Sequence, residues 1–279
     1  MKGEGIAAIV VSHFSQETIG ACLSRLLASD GVTQLRVIDN ASTDGTMEIV
    51  QRYALADPRV HFVANPDNPG FAVACNQGAA DSDAPWLAFV NPDLMVEPDT
   101  LVRLRAAAES MGPALVGAEL VGEDGKPDPA ARRRDPDFAA MLTSSVARDL
   151  SVPRDPAQPL QQVDAVSGAL MVVPRTLFRL VGGFDEGYRL HAEDLDLCRR
   201  IRDFGGRVAI DNQVQVLHVR GVSSRVRPAF VEWQKHRGLW RYFNKFDAAR
   251  HGAMTRAGVW LMVWARLPYA LCRKLATRR

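Results

Sequence analysis

Two places along the chain carry carboxylates in settings that suit chemistry. The first is Asn91-Pro92-Asp93, at the end of the apolar run Trp86-Leu87-Ala88-Phe89-Val90. A short apolar run bounded by turn residues reads as a buried strand. Pro92 disfavours helical geometry at Asn91 and cannot donate to a sheet ladder, so the strand stops there. Asp93 is then presented at the strand's C-terminal end, where open α/β sheets bind ligands. Such an Asp suits a hard divalent cation that bridges to a diphosphate. Asn-Pro-Asp is equally a common turn, and the tripeptide alone leaves both readings open.

The second place is His191-Ala192-Glu193-Asp194-Leu195-Asp196-Leu197-Cys198, three acids at a helix start. Acids there complement the positive end of the helix dipole, and an isolated acidic run reads first as capping. A carboxylate in that position also suits the removal of a proton from a hydroxyl.

The elements that must position these groups alternate. Ile6 to Val11, Leu35 to Ile38, Val60 to Val63 and Trp86 to Val90 read as strands. Between them, Ile19, Cys22, Leu23, Leu26 and Leu27 repeat with helical period, and Ser42-Thr43-Asp44 caps a helix through Met47, Ile49 and Val50. Asn65-Pro66-Asp67-Asn68-Pro69-Gly70 is a turn-rich loop before a short helix. This order predicts an α/β fold, a Rossmann-like and mostly parallel sheet with flanking helices. Residues 121–160 are rich in Pro, Asp, Arg and Gly and read as a long excursion. Strand returns over 163–173, a helix over 193–204 and a late strand over 214–219.

A chain of 279 residues with 47% hydrophobic and 24% charged residues has ample material for a core. A net charge of +2 argues against a nucleic-acid partner recruited by overall charge. Cys22, Cys75, Cys198 and Cys272 are scattered among apolar neighbours and read as buried free thiols. The N-terminus leads into a strand without a signal-peptide layout, so a cytoplasmic active site is the expectation.

Taken in order, several segments resemble the inverting GT-A glycosyltransferases of family 2, within them the rhamnosyltransferase-like group. They are Val10-Val11-Ser12-His13-Phe14, Asp39 to Thr46, Asn68 to Gly78, Asn91-Pro92-Asp93, Gly182 to Glu186, Glu193 to Leu197 and His218 to Ser223. Their order and spacing over roughly residues 6–245 carry the likeness.

The resemblance implies a role for each matching position. Ser12, His13, Asp39 and Asn40 should meet the nucleobase and ribose, with Gly70, Asn76 and Asn91 completing the donor site. Asp93 should hold Mg2+ or Mn2+, with His218 touching the metal or diphosphate; a core histidine at a strand end is the other reading of His218. Asn91 stands where the usual D-x-D has its first Asp. Asp194 should be the base, with Glu193 orienting the acceptor. Asp185 and Glu186 should lie on the acceptor side, or cap or brace it. Arg133, in Arg132-Arg133-Arg134, reads as part of a solvated charge run or as a clamp for an acceptor diphosphate.

The implied reaction moves a sugar from a nucleotide-diphospho-sugar donor, dTDP-rhamnose before UDP- or GDP-sugars, to a glycan or lipid-linked glycan hydroxyl. A pyrophosphorylase and an NAD dehydrogenase are disfavoured, because Ser12-His13-Phe14-Ser15-Gln16 lacks their glycine-rich loop. A nucleotide-sugar-binding scaffold without catalysis is the non-enzyme alternative. The resemblance divides the chain into a catalytic domain over 1–225 and a basic, aromatic helical tail over 226–279. The domain has a nucleotide-sugar half to about 118 and an acceptor half beyond it. Val259 to Trp264 is too short to span a bilayer, which needs about 20 apolar residues. With Trp233, Lys235, Trp240, Arg241 and the basic end it reads as an interfacial helix on an anionic membrane surface, or as a packed helix.

Overall fold

The structure, a computed structural model, describes residues 5–219 and 228–276. The first half alternates as the sequence predicts: β1 (Ile6–Ser12), α1 (Ile19–Leu27), β2 (Val32–Asn40), α2 (Thr46–Ala56), β3 (Val60–Asn65), α3 (Phe71–Ala80) and β4 (Trp86–Val90). Every residue of β1 and β4 is buried, as expected for strands covered on both faces. Ile19, Cys22, Leu23 and Leu26 form the buried stripe of α1.

The second half comprises β5 (Leu94–Met95), α4 (Thr100–Met111), β6 (Ala114–Val121), β7 (Arg132–Arg133), α5 (Phe138–Thr143), β8 (Leu160–Gln162), β9 (Ala165–Val166) and β10 (Leu170–Pro174). It continues with α6 (Arg175–Leu180), α7 (Glu193–Asp203), β11 (Arg207–His218), α8 (Pro228–Phe246) and α9 (Ala253–Ala276). The main sheet runs β3-β2-β1-β4-β10-β6-β11-β5, with β8 also on β11. Strands β3, β2, β1 and β4 are parallel, β10 lies antiparallel between β4 and β6, and β11 runs parallel to β6. The strand order reverses beside β1, and the crevice at such a switch point is the ligand edge of an α/β sheet.

Three sequence expectations change. The strand expected over 163–173 divides at Ser167–Ala169: β9 leaves to pair with β7, and β10 enters the main sheet. The late strand begins at Arg207, seven residues early, since a bulge between Asp211 and Gln215 accommodates its polar middle. Finally, α8 packs into the body. Tyr242 and Phe243 have no exposed surface, and the Phe243 ring meets Phe138 of α5 at 5.1 Å. Cys22, Cys75 and Cys198 are buried free thiols, as read; the side chain of Cys272 lies outside the described ones.

Candidate active site

The ends of β1 and β2 meet with Ser12 opposite Asp39. Asp39 has no exposed surface. Its Oδ1 accepts from Ser12 Oγ at 2.7 Å and Ser42 Oγ at 2.6 Å, and its Oδ2 accepts from the Ser42 N–H at 2.7 Å. In this structure Asp39 anchors the two loops that border the expected base and ribose site. The loops it ties contain Phe14 and Ala41, both left-handed at φ 53° and 57°. Such strain in non-glycine residues costs about 1–3 kcal/mol each and collects at functional sites. His13 Nδ1 donates to Asn40 O at 2.7 Å, which fixes the ring against the same loop.

Asn40 continues the edge. Its Oδ1 accepts from Asn65 Nδ2 at 2.9 Å, and its Nδ2 donates to Gly70 O at 3.3 Å. Gly70, at φ 108°, has room for no side chain: a Cβ would lie 2.6 Å from Arg189 O. Close approach here is to the loop before α7, which receives the Phe71 N–H at 3.1 Å. Asn76 has the same kind of partner. Its amide donates to Phe184 O and Glu186 Oε1, both at 2.9 Å, and accepts from the Phe184 N–H at 2.9 Å. Asn76 and Glu186, expected beside donor and acceptor, brace α3 to this loop.

At the end of β4, β5 pairs with β11 so that Leu94 opposes His218. That pairing brings Asp93 Oδ1 to 3.3 Å from His218 Nε2. On the other side of the ring, Nδ1 lies 3.6 Å from Asp128 Oδ2. Burial lowers the affinity of His218 for its proton, but Asp128 and Asp93 outweigh it and push the imidazole up to about 9. Among the described residues, the buried Asp93 Oδ1 has no hydrogen-bond partner. An orphaned carboxylate oxygen beside an imidazole fits a divalent cation. Among the described residues no three His, Cys, Asp or Glu side chains form a cage. A cation here would take its remaining oxygens from diphosphate and water, as Mg2+ commonly does. Asp128 lies in the excursion, where no pattern marked it; a carboxylate on the far nitrogen of a metal-binding His orients the ring. Arg220 to Ser223 lie outside the described residues.

Three acids open α7, and the structure separates them. Asp196 has no exposed surface and is held by Arg200 at 2.5 Å and Lys245 at 2.6 Å. Glu193 is buried, with Oε2 lacking a hydrogen bond. Burial first, then the charge of Asp194, push its carboxyl up to about 8. Asp194 retains some exposure. Burial would raise it too, but Arg133, Gly168 N–H and Leu195 N–H hold it below the usual carboxylate range. Before the helix, His191 and Ala192 are both left-handed, at φ 68° and 69°. Asp185 pairs with Arg241 and Lys245 of α8 at 2.8 and 2.7 Å, which hold it down at about 2 against its burial. It ties α8 to the body, the bracing alternative for this residue.

The arginine run is not a solvated one. Arg132 is buried against Glu119 and Asn212, and Arg133 contacts Asp194; only Arg134 is exposed. Pairing of β7 with β9 draws the first two inward, where carboxylates compensate their charge.

The two carboxylate places are joined by adjacent residues. Gly168 N–H donates to Asp194 Oδ2 at 3.1 Å, and Ala169 O accepts from the Asn91 N–H at 2.8 Å. A model of glycosyl transferase family 2 matches residues 7–171. The chain belongs to that family. As a family 2 member it is a glycosyltransferase. It is 29% identical over 268 residues to the N-acetylglucosaminyl-diphospho-decaprenol L-rhamnosyltransferase of Mycobacterium tuberculosis, covering 85% of this chain and 83% of that one. It is 28% identical over 207 residues to the rhamnosyltransferase WbbL of Escherichia coli K12, covering 72% and 78%. Among solved structures, GalNAc-T7 with UDP, GalNAc and Mn2+ aligns with a TM-score of 0.67 at 15% identity, over 88% of this chain and 49% of that one. The Pyrobaculum calidifontis mannosyltransferase PcManGT, in complex with GDP-Man and Mn2+, aligns at 0.60 and 21%, over 97% and 73%. These two share the GT-A fold with this chain.

Proposed function

We propose that this glycosyltransferase moves L-rhamnose from dTDP-rhamnose to a hydroxyl of a glycan or lipid-linked glycan, with inversion. The names of the two rhamnosyltransferase relatives support the sugar, and that of the mycobacterial one supports a lipid-linked acceptor. In one displacement, the acceptor oxygen bonds to the anomeric carbon as the bond to the diphosphate breaks. Asp194 takes the hydroxyl proton, and dTDP leaves. A positioned base of this kind contributes about 10²–10⁴-fold. Asp93, and His218 once its imidazole has released the proton that Asp128 and Asp93 favour, would hold Mg2+ or Mn2+, which would stabilise the charge that develops on the departing diphosphate. The observation carrying this reading is the Gly168–Ala169 junction, which ties the Asp93 turn and Asp194 to one rigid turn. Release of dTDP from dTDP-rhamnose by purified protein with acceptor is the test. Release from UDP- or GDP-sugars alone would overturn the donor.

The acceptor reading extends to α9. Met254, Ala257, Leu261, Ala265 and Pro268 recur at helical spacing and are all exposed, with Trp260 beside them and Arg256 and Arg266 exposed nearby. Among the described residues no helix is long and apolar enough to cross a membrane. An apolar stripe with cationic neighbours suits the surface of an anionic leaflet. This supports a peripheral position on the inner face of the membrane, within reach of a lipid-linked acceptor.

A further inference from the structure

Resting on the reading of Asp194 as the base, we propose that Arg133 is its positioning residue. It fixes one carboxylate oxygen of Asp194 and leaves Oδ1 to receive the acceptor's proton.

The geometry carries this. Arg133 Nη2 donates to Asp194 Oδ2 at 2.5 Å and to Val166 O at 2.9 Å. Gly168 N–H is the second donor to Oδ2, so both lone pairs of that oxygen are used. Among the described residues Oδ1 accepts only the Leu195 N–H, at 2.8 Å, and keeps one lone pair. The carboxylate is thus held by its back oxygen and presents the other.

Burial raises Glu193, and among the charges around the pair Arg133 is the one that holds Asp194 down. Glu193 and Cys198 lie on α7 itself, and Cys75 of α3 faces Glu193. His191, in the turn before α7, is pushed down to about 4 by burial and by Lys235 of α8, so it is neutral at pH 7. Glu232 of α8 acts on His191 as well. Two adjacent carboxylates cannot share a buried place without one taking a proton. Arg133, reached across β7, sets its ion pair on Asp194 rather than on Glu193. Asp194 is then the ionised member at neutral pH and Glu193 the protonated one.

The test is a titration that needs no sugar donor. The full chain is labelled with 13C at Asp and Glu carboxyls, and Asp194→Asn assigns the Asp194 signal. The unmodified protein should show Asp194 titrating below the ordinary Asp range. Arg133→Gln should move it upward, and the acidic limb of kcat/KM should move with it. Arg133→Lys keeps the charge without the fork. It should hold the low titration while kcat falls by up to about 10²-fold from lost alignment, with donor KM unchanged. Should Arg133→Gln fail to fold, the unmodified protein and Arg133→Lys still decide. An Asp194 titration at or above the ordinary range in the unmodified protein, or one unmoved by Arg133→Gln, overturns the proposal. Full transfer by Asp194→Asn overturns the base reading together with it. An unmoved titration with transfer lost only in Asp194→Asn overturns the role of Arg133 alone.

Discussion

Asp93 and His218 lie 125 residues apart and meet at 3.3 Å, with the far side of the imidazole facing Asp128. Two protein groups converge there, one of them a buried carboxylate oxygen with no hydrogen bond among the described residues. Asp93→Asn keeps the shape and removes the charge. Donor binding by this variant should lose its dependence on Mn2+, and turnover should fall steeply. Calorimetric titration of nucleotide diphosphate with and without Mn2+ checks this; wild-type activity in excess chelator would sink the metal reading.

Asp194→Asn tests the base. Neither donor nor metal binding uses this carboxylate, so donor affinity should be retained. Transfer should fall by about 10²–10⁴-fold. A purely structural role, holding Arg133 and the Gly168 N–H, would lower the melting temperature and leave the transfer rate of the folded protein nearly unchanged. Transfer rate, donor affinity and melting temperature measured on one preparation separate the two roles.

The buried Glu193 gives stability a pH dependence of known sign. Its carboxyl is raised in the folded protein from 4.5 to about 8. The folded state therefore binds the proton more tightly than the unfolded state, and stability declines as pH rises from 4.5 towards 8. Glu193→Gln removes this decline. Melting curves should nearly coincide at pH 4.5 and separate towards pH 8, with the variant the more stable. A constant gap across that range would show that Glu193 does not titrate there.

Substituting Leu261 with Glu on the exposed face of α9 should leave the melting temperature within about 1–2 °C, since surface changes of this kind are worth about 0.5 kcal/mol or less. Co-sedimentation with anionic vesicles at low salt should drop. If unmodified protein does not co-sediment, α9 does not lie on the membrane.

How far the sequence could be read follows from the range of the forces involved. Strand and helix alternation from Ile6 to Val90 is local, because apolar period and turn residues are properties of neighbours. The same holds for Asp93 at a strand end and Glu193-Asp194 at a helix start. The partners of Asn76 and Glu186 were not legible in the sequence, because the segments that carry them are far apart in the chain. Their hydrogen bonds run to each other and to Phe184, over more than 100 residues. Arg132 and Arg133 read as solvated because their partners, Glu119, Asn212 and Asp194, lie outside their own segment.

The sequence alone determined the α/β architecture, the family and the two carboxylate positions, since each is written in short segments whose order is enough. Tertiary structure decided which groups face one another. Pairing of β5 with β11 joined Asp93 to His218, and pairing of β7 with β9 set Arg133 on Asp194. It also decided the protonation of adjacent acids: burial and a cation 61 residues away divide Glu193 from Asp194. Such differences arise from desolvation and from charges brought close by folding, and neither is a property of the residue or its neighbours in the chain.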